Sequence, residues 1–116
     1  CFVRENTQIP FMTMPDAITA IIQLMGAPME KLTRIVYNIR SFAPTAEEFR
    51  QQVLEFYPDA EISYSINEKR QEMVDSWPAD TDDSTAQNEW GWKPNHNLEK
   101  GLSEYLIPDL SKLYKK

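Results

Sequence analysis

Pro15-Asp16-Ala17-Ile18-Thr19-Ala20-Ile21-Ile22-Gln23-Leu24-Met25-Gly26-Ala27-Pro28 reads as a helix set between two breakers. Asp16 stands at its start, where a carboxylate accepts N–H groups that lack a helical partner. Ala17, Ile18, Ile21, Ile22, Leu24 and Met25 are apolar nearly all round, which predicts burial. Gly26 and Pro28 close the helix. Upstream, Cys1-Phe2-Val3-Arg4 and Pro10-Phe11-Met12-Thr13-Met14 are short, apolar and extended, the second held out of helix by its flanking prolines. Downstream, Ile35-Val36-Tyr37-Asn38-Ile39 reads as a strand. Thr45-Ala46-Glu47-Glu48 is a capping box that opens a helix running to Tyr57. Glu61-Ile62-Ser63-Tyr64-Ser65-Ile66 alternates with period two and reads as a half-buried strand. Ser84-Thr85-Ala86-Gln87 predicts the cap of a short helix closed by Gly91. Asn97 caps a last helix carrying Leu98, Leu102, Leu106, Leu110 and Leu113 in one stripe. Pro108 must kink that helix or break its ladder, and Lys112, Lys115 and Lys116 gather where the macrodipole favours cations. This order predicts an α/β or α+β fold with a small sheet whose exposed edges call for a partner or for more chain.

At 116 residues there is room for one core. A 41% hydrophobic and 26% charged composition suits a globular fold. The net charge of −6 argues against a general nucleic-acid binder, which needs clustered Lys and Arg to neutralise phosphates. Acids concentrate between 59 and 89, where nine face only Lys69 and Arg70. No apolar run approaches the roughly 18 residues of a membrane span. The single cysteine, Cys1, excludes an internal disulfide and makes a reduced compartment the default. No signal peptide opens the chain, and it does not begin with Met, so it reads as a cut or processed product.

Several chemistries are excluded by what is missing. Gly26, Gly91 and Gly101 are too far apart to build a P-loop or a dinucleotide fingerprint. His96, the one histidine, falls in the turn-like run Pro94-Asn95-His96-Asn97 and is expected as an exposed loop residue, which leaves no zinc site. A Cys1–His96 nucleophile pair is disfavoured for the same reason. No tyrosine is followed four residues later by lysine, so the Tyr-x-x-x-Lys pair of short-chain dehydrogenases is absent.

Three constellations carry two readings each. Asp80-Thr81-Asp82-Asp83-Ser84 offers carboxylates to a divalent cation, or simply places acids against the positive end of a helix dipole; the second fits better, because no EF-hand spacing follows. Arg70 either clamps a carboxylate or phosphate or pairs with Glu72 or Asp75. Trp77 either walls a pocket or plugs the domain edge, whereas Trp90-Gly91-Trp92 reads as packing, with one ring folded back over its helix.

Taken together, Met14-Pro15-Asp16-Ala17-Ile18, Tyr37-Asn38, Arg70-Gln71, Asp75-Ser76-Trp77-Pro78, Asp82-Asp83-Ser84 and Trp90-Gly91-Trp92 resemble the C-terminal part of the L-threonine 3-dehydrogenases of the extended short-chain dehydrogenase type, relatives of the nucleotide-sugar epimerases. The resemblance covers about Cys1 to Leu110; Phe11, Thr13 and Glu72 depart from the pattern. It implies that residues 1–116 form the smaller, substrate-side lobe, plus a strand and a helix that return to a Rossmann domain missing from this chain. That domain would hold NAD and the Ser/Thr, Tyr and Lys of catalysis, oxidising L-threonine to 2-amino-3-oxobutyrate. This chain would then supply no catalytic, cofactor-binding or metal residue and be inactive alone. By analogy, Arg70 would face the cleft, meeting the substrate carboxylate or orienting the loop that does, and Trp77 would close the pocket over a small amino acid. Asp16 would be structural. The resemblance further implies a homodimer, in bacterial cytoplasm or the animal mitochondrial matrix. Two alternatives stand beside it: a nucleotide-sugar epimerase or dehydratase lobe, against which Asp75-Ser76-Trp77-Pro78 counts, and a stand-alone acidic interaction module. The lobe by itself is expected to expose apolar surface on Phe2, Val3, Met12 and the first helix.

Overall fold

The structure, a computed structural model, describes residues 1–114. Six helical segments follow one another: α1 Met14–Gly26, α2 Ala46–Phe56, α3 Glu68–Asp75, α4 Ser84–Trp90, α5 Leu98–Lys100 and α6 Ile107–Leu113, with a 3-10 turn at Met29–Lys31 and a π-helical turn, Gly101–Leu106, joining α5 to α6. No helix among the described residues is long and apolar enough to cross a membrane.

The α/β expectation is not met inside this chain. Among the described residues β pairing is limited to two isolated antiparallel bridges, Gln8 with Thr45 and Phe11 with Phe42. Neither expected strand forms. Residues 61–66 lie alongside the first segment, where Ser65 N–H donates to Cys1 C=O (2.8 Å) and Asn67 N–H to Phe2 C=O (3.0 Å), without building a ladder. Residues 35–39 form no regular element, with a bend at Ile35, and none has a backbone–backbone hydrogen-bond partner among the described residues. A β-prone run becomes a strand only beside another strand, and this one has no neighbour.

Local signals fared better. Thr45 and Glu48 make the reciprocal capping box, with Glu48 N–H donating to Thr45 Oγ1 (3.2 Å) and Thr45 N–H to Glu48 Oε2 (2.7 Å). Gly91 closes α4 in the left-handed region at φ 74°, and the chain then folds back so that Trp92 N–H reaches Ala86 C=O. The expected cap at Ser84 is replaced by Asp83, whose carboxylate instead accepts from Gln87 Nε2. At α1 the cap is Thr13 rather than Asp16, and the helix stops because Ala27, just before Pro28, is driven to extended backbone (ψ 139°). Pro108 shifts the last ladder: Ile107 N–H bonds Leu102 C=O five residues back before α6 resumes. Lys112 pairs with Asp109 (2.9 Å); Lys115 and Lys116 lie outside the described residues.

The core is small and half polar. Ala20, Val74, Ala86, Trp92 and Leu102 are the fully buried hydrophobics, matched by buried Thr13, Asp16, Ser41, Gln71 and Asp83. Trp92 sits against Ala20 and Ala86, and Trp90 meets Tyr37 edge-on at 5.9 Å. The expectation that α1 is buried all round fails: Asp16 and Ala20 face inward, while Met14, Ile18, Ile21, Ile22 and Met25 are exposed. Phe2 is exposed as expected; Val3 and Met12 are half-buried. The radius of gyration is 16.7 Å, against about 13 Å for a compact domain of this length. The accessible surface is 8393 Å², against roughly 6,500 Å² for a compact monomer of this mass.

Asp16, with no exposed surface, is the hub of the fold. Its carboxylate accepts from Ser41 Oγ (2.8 Å), from the backbone N–H of Asn95 and His96 (3.1 Å each) and from His96 Nδ1 (3.0 Å). It thereby joins α1, the segment before α2 and the turn before α5. His96 is consequently drawn in rather than left on an exposed loop, its side chain only 15% exposed and also 3.1 Å from Thr13 Oγ1. Burial opposes ionisation of Asp16, but the hydrogen bonds from Ser41, His96 and Asn95 prevail and hold its pKa below 3.8. Because the folded value is depressed, the stabilisation is complete above the unfolded value and is lost as pH falls through the folded one. Replacing Asp16 with Ala is expected to cost about 3 kcal/mol or more, read by urea denaturation, and Asp16→Asn should flatten the acid limb of the stability profile.

Candidate functional site

A cavity of about 440 Å³ lies between the N-terminal segment, the start of α2 and the end of α3. Its walls are apolar, with Phe2, Ile9, Phe11, Phe49, Met73 and Trp77 among them. Phe11 holds two of these elements together, with ring centroids 5.9 Å from Phe49 and 6.3 Å from Phe42. Trp77, about half exposed in the loop after α3, also borders a smaller depression lined by Arg4, Asn6, Gln8 and Asp75. It therefore divides an apolar chamber from a polar one.

Arg70 is on the first turn of α3, whose cap is Asn67, its Oδ1 accepting from Arg70 N–H (3.1 Å). Its guanidinium rests over the Phe2 ring, 5.0 Å from the centroid. The salt bridge to Asp75 that the sequence offered does not form, because Asp75 is taken by Arg4 and by Gln71 Nε2 (2.7 Å). Those two donors, the Arg4 pair foremost, depress the Asp75 carboxyl. Phe2 and Trp77 both line the cavity, whereas Arg70 meets Phe2 without lining the cavity itself.

Sequence reasoning passed over the partner beside Arg70. Gln71 is 1% exposed and clamps the N-terminal segment: Arg4 N–H donates to its Oε1 (2.7 Å), and its Nε2 donates to Thr7 Oγ1 (3.1 Å) as well as to Asp75. An amide that both donates and accepts is what this junction requires. Its signal was the pairing Arg70-Gln71, in which the charged residue drew the functional reading.

Other candidate chemistry is structural here. Glu89 accepts from Thr33 N–H (2.9 Å), from Thr33 Oγ1 and from Tyr37 Oη, pinning the entrance of the 33–39 run to α4. Burial, then the hydrogen bond to Glu89, raises the Tyr37 phenol; burial and Glu47 raise that of Tyr64. Both stay protonated, the opposite of what a tyrosinate base needs. Among the described residues no three His, Cys, Asp or Glu side chains are placed to share a metal ion. Two of the three glycines have local structural roles. Gly91 is a helix cap, and a Cβ on Gly101 would stand 3.2 Å from Phe42 and 3.3 Å from Thr13. Gly101 thus lets the Phe42 and Thr13 side chains approach its backbone closely.

No family model matches the chain. The mitochondrial L-threonine 3-dehydrogenase of Bos taurus is 38% identical to it over 106 residues, 91% of this chain and 28% of that protein. An uncharacterized epimerase/dehydratase of Staphylococcus saprophyticus is 40% identical over 98 residues, 84% of this chain and 31% of that protein. Among solved structures, the GalE-like L-threonine dehydrogenase of Cupriavidus necator in its holo form superposes with a TM-score of 0.86 at 38% identity, covering 93% of this chain and 35% of that one. The L-threonine dehydrogenase of Clostridium difficile gives 0.89 at 33%, covering 97% and 35%. The chain spans about a third of the length of these relatives. Its fold is accordingly that of one part of a GalE-like dehydrogenase of the extended short-chain type. More particularly, it matches the C-terminal part of members of the L-threonine 3-dehydrogenase and epimerase/dehydratase family.

Gln71→Ala should release the N-terminal segment at a cost of about 1–3 kcal/mol, since it leaves buried donors and acceptors unpaired. Faster amide exchange at Arg4 and Thr7 than in the parent protein would verify it.

Proposed function

We propose that this chain is the substrate-side lobe of a longer NAD-dependent L-threonine 3-dehydrogenase, and that it is inactive by itself. The observation that carries this reading is the 38% identity to an enzyme of that name across 91% of the chain but only 28% of the enzyme. Three features support it: the excess surface, the open face of α1, and the 35–39 run without a backbone hydrogen-bond partner among the described residues. They are what a lobe would leave bare on the side that meets its dinucleotide-binding domain, with 35–39 as the strand and α1 as the helix that return to it.

NAD, when bound, supplies the hydride acceptor. It would be held outside this chain, consistent with Gly91 used here as a helix cap, Gly101 in packing, and the Tyr37 and Tyr64 phenols raised. The lobe's own contribution is positional. Asp16 fixes α1 so that its apolar face points outward, and Gln71 fixes the N-terminal segment against α3. Arg70 and Trp77 are the residues we assign to the substrate side. The cavity carries the Thr7 and Thr45 hydroxyls but no charged side chain, so the role we assign to Arg70 is orienting the loop that meets L-threonine, by way of Phe2.

The full-length protein should reduce NAD with L-threonine and leave UDP-sugars unchanged; the reverse preference would favour the epimerase reading. In that protein Arg70→Ala is expected to raise the threonine KM or lower kcat several-fold, with Arg70→Lys recovering part of the loss. Kinetics unchanged by Arg70→Ala would return this residue to a surface role. Residues 1–116 alone should self-associate through the α1 face, seen by light scattering; a monodisperse monomer would count against an open interface.

A further inference from the structure

Cys1 is hydrogen-bonded like a residue inside a parallel sheet. Its nitrogen donates to Ser63 C=O (2.6 Å), and its carbonyl accepts from Ser65 N–H (2.8 Å). Donating to one residue and accepting from the residue two places on is the repeat of a parallel pair, with Tyr64 opposite Cys1. Downstream the register is lost at once, because Asn67 N–H bonds Phe2 C=O and not that of Val3. Upstream it stays open. Ser63 N–H and Glu61 C=O have no hydrogen-bond partner among the described residues, and both residues are exposed. Ile62 C=O turns the other way, to Arg50 Nε on α2 (3.0 Å), as alternation along a strand requires. Residues 61–65 therefore offer a strand edge along which pairing has begun at Cys1 and is not continued. Such an edge is a template for further chain.

We propose that this edge is the docking site of the protein's own segment immediately upstream of Cys1, which runs along residues 61–63 as a parallel strand. The inference rests on the reading of a longer protein, supported by a match to 28% of one relative and 35% of another. The pair already made fixes the register. The second residue upstream of Cys1 accepts from Ser63 N–H and donates to Glu61 C=O. Two residues of extended chain hold it within about 7 Å of Cys1, an effective concentration that a separate chain does not match. The alternating run from Glu61 to Ile66 then becomes the strand its composition suits, because it gains the neighbour it lacks here. The same strand leads the chain into Phe2 and Val3, which line the apolar cavity. The dinucleotide-binding part and that cavity wall are thus joined by hydrogen-bonded backbone, not by a slack linker.

Nuclear magnetic resonance on the full-length protein tests this at one atom, the Ser63 amide proton. It is expected to exchange about a hundredfold or more slower than in an unfolded peptide, at a rate independent of protein concentration. It should also show Overhauser contacts to the two residues before Cys1. Ser63→Pro deletes the donor and should make the link before Cys1 several-fold more sensitive to protease; the Overhauser measurement decides the matter should that variant not fold. Three results would overturn the proposal. One is Ser63 exchange as fast as in an unfolded peptide. Another is protection that rises with protein concentration, which would put a second copy on the edge. The third is protection with Overhauser contacts to some other segment. Threonine oxidation is assayed on the same sample. An active enzyme with an unprotected Ser63 amide sinks only this inference, and a protected amide in a protein that ignores threonine sinks only the dehydrogenase reading.

Discussion

One buried carboxylate decides how this chain is arranged. Five hydrophobic side chains are fully buried, too few to orient six helical segments by packing alone. Asp16 supplies what they cannot, a directional anchor that receives four donors from Ser41, Asn95 and His96. The charge is tolerable only because every donor is in place. Once Asp16 and Ala20 point inward, helical geometry sends Met14, Ile18, Ile22 and Met25 outward as a stripe at intervals of three or four residues. The open apolar face is therefore a consequence of the anchor, not an accident of composition.

The lobe's surfaces are finished differently. The α1 stripe and the 35–39 run, with Ile35 fully exposed, are apolar surface suited to being covered. At α3, Gln71 and Asp75 lock the N-terminal segment, while Met73 and Val74 of the same helix line the apolar cavity with Phe11 and Trp77. In the proposed enzyme the α1 face and the 35–39 run meet the dinucleotide-binding part, and the α3 contacts shape the lobe itself. The polar clamps explain how so thin a core can hold its shape while leaving that much apolar surface unburied.

What could be read from the sequence was what is decided locally. The Thr45–Glu48 capping box, the Gly91 turn and the disturbance at Pro108 each depend on a few neighbouring residues. His96 was misjudged because its partners, Asp16 and Thr13, are some eighty positions away and nothing in Pro94–Asn97 announces them. The runs at 35–39 and 61–66 had the composition of strands, but pairing is a property of two segments. Helix α3 went unseen because Glu68–Asp75 has almost no apolar periodicity; its cap, Asn67, and the burial of Gln71 and Val74 hold it. For the site, residue chemistry alone left Arg70 and Trp77 with two readings each. Only the resemblance across the ordered motifs suggested an enzyme, and the cavity that Trp77 lines required side chains from three elements that no spacing rule connects.

The account turns on whether the 35–39 run and the outer face of α1 are completed by a part of the protein beyond these residues. Amide hydrogen exchange, compared between residues 1–116 alone and the full-length protein, addresses that directly. The account predicts that Ile35 to Ile39 exchange nearly as fast as an unfolded peptide in the short form and are strongly protected in the full-length one. Equal, fast exchange in both would contradict it, because the extended run would then have no partner anywhere in the protein.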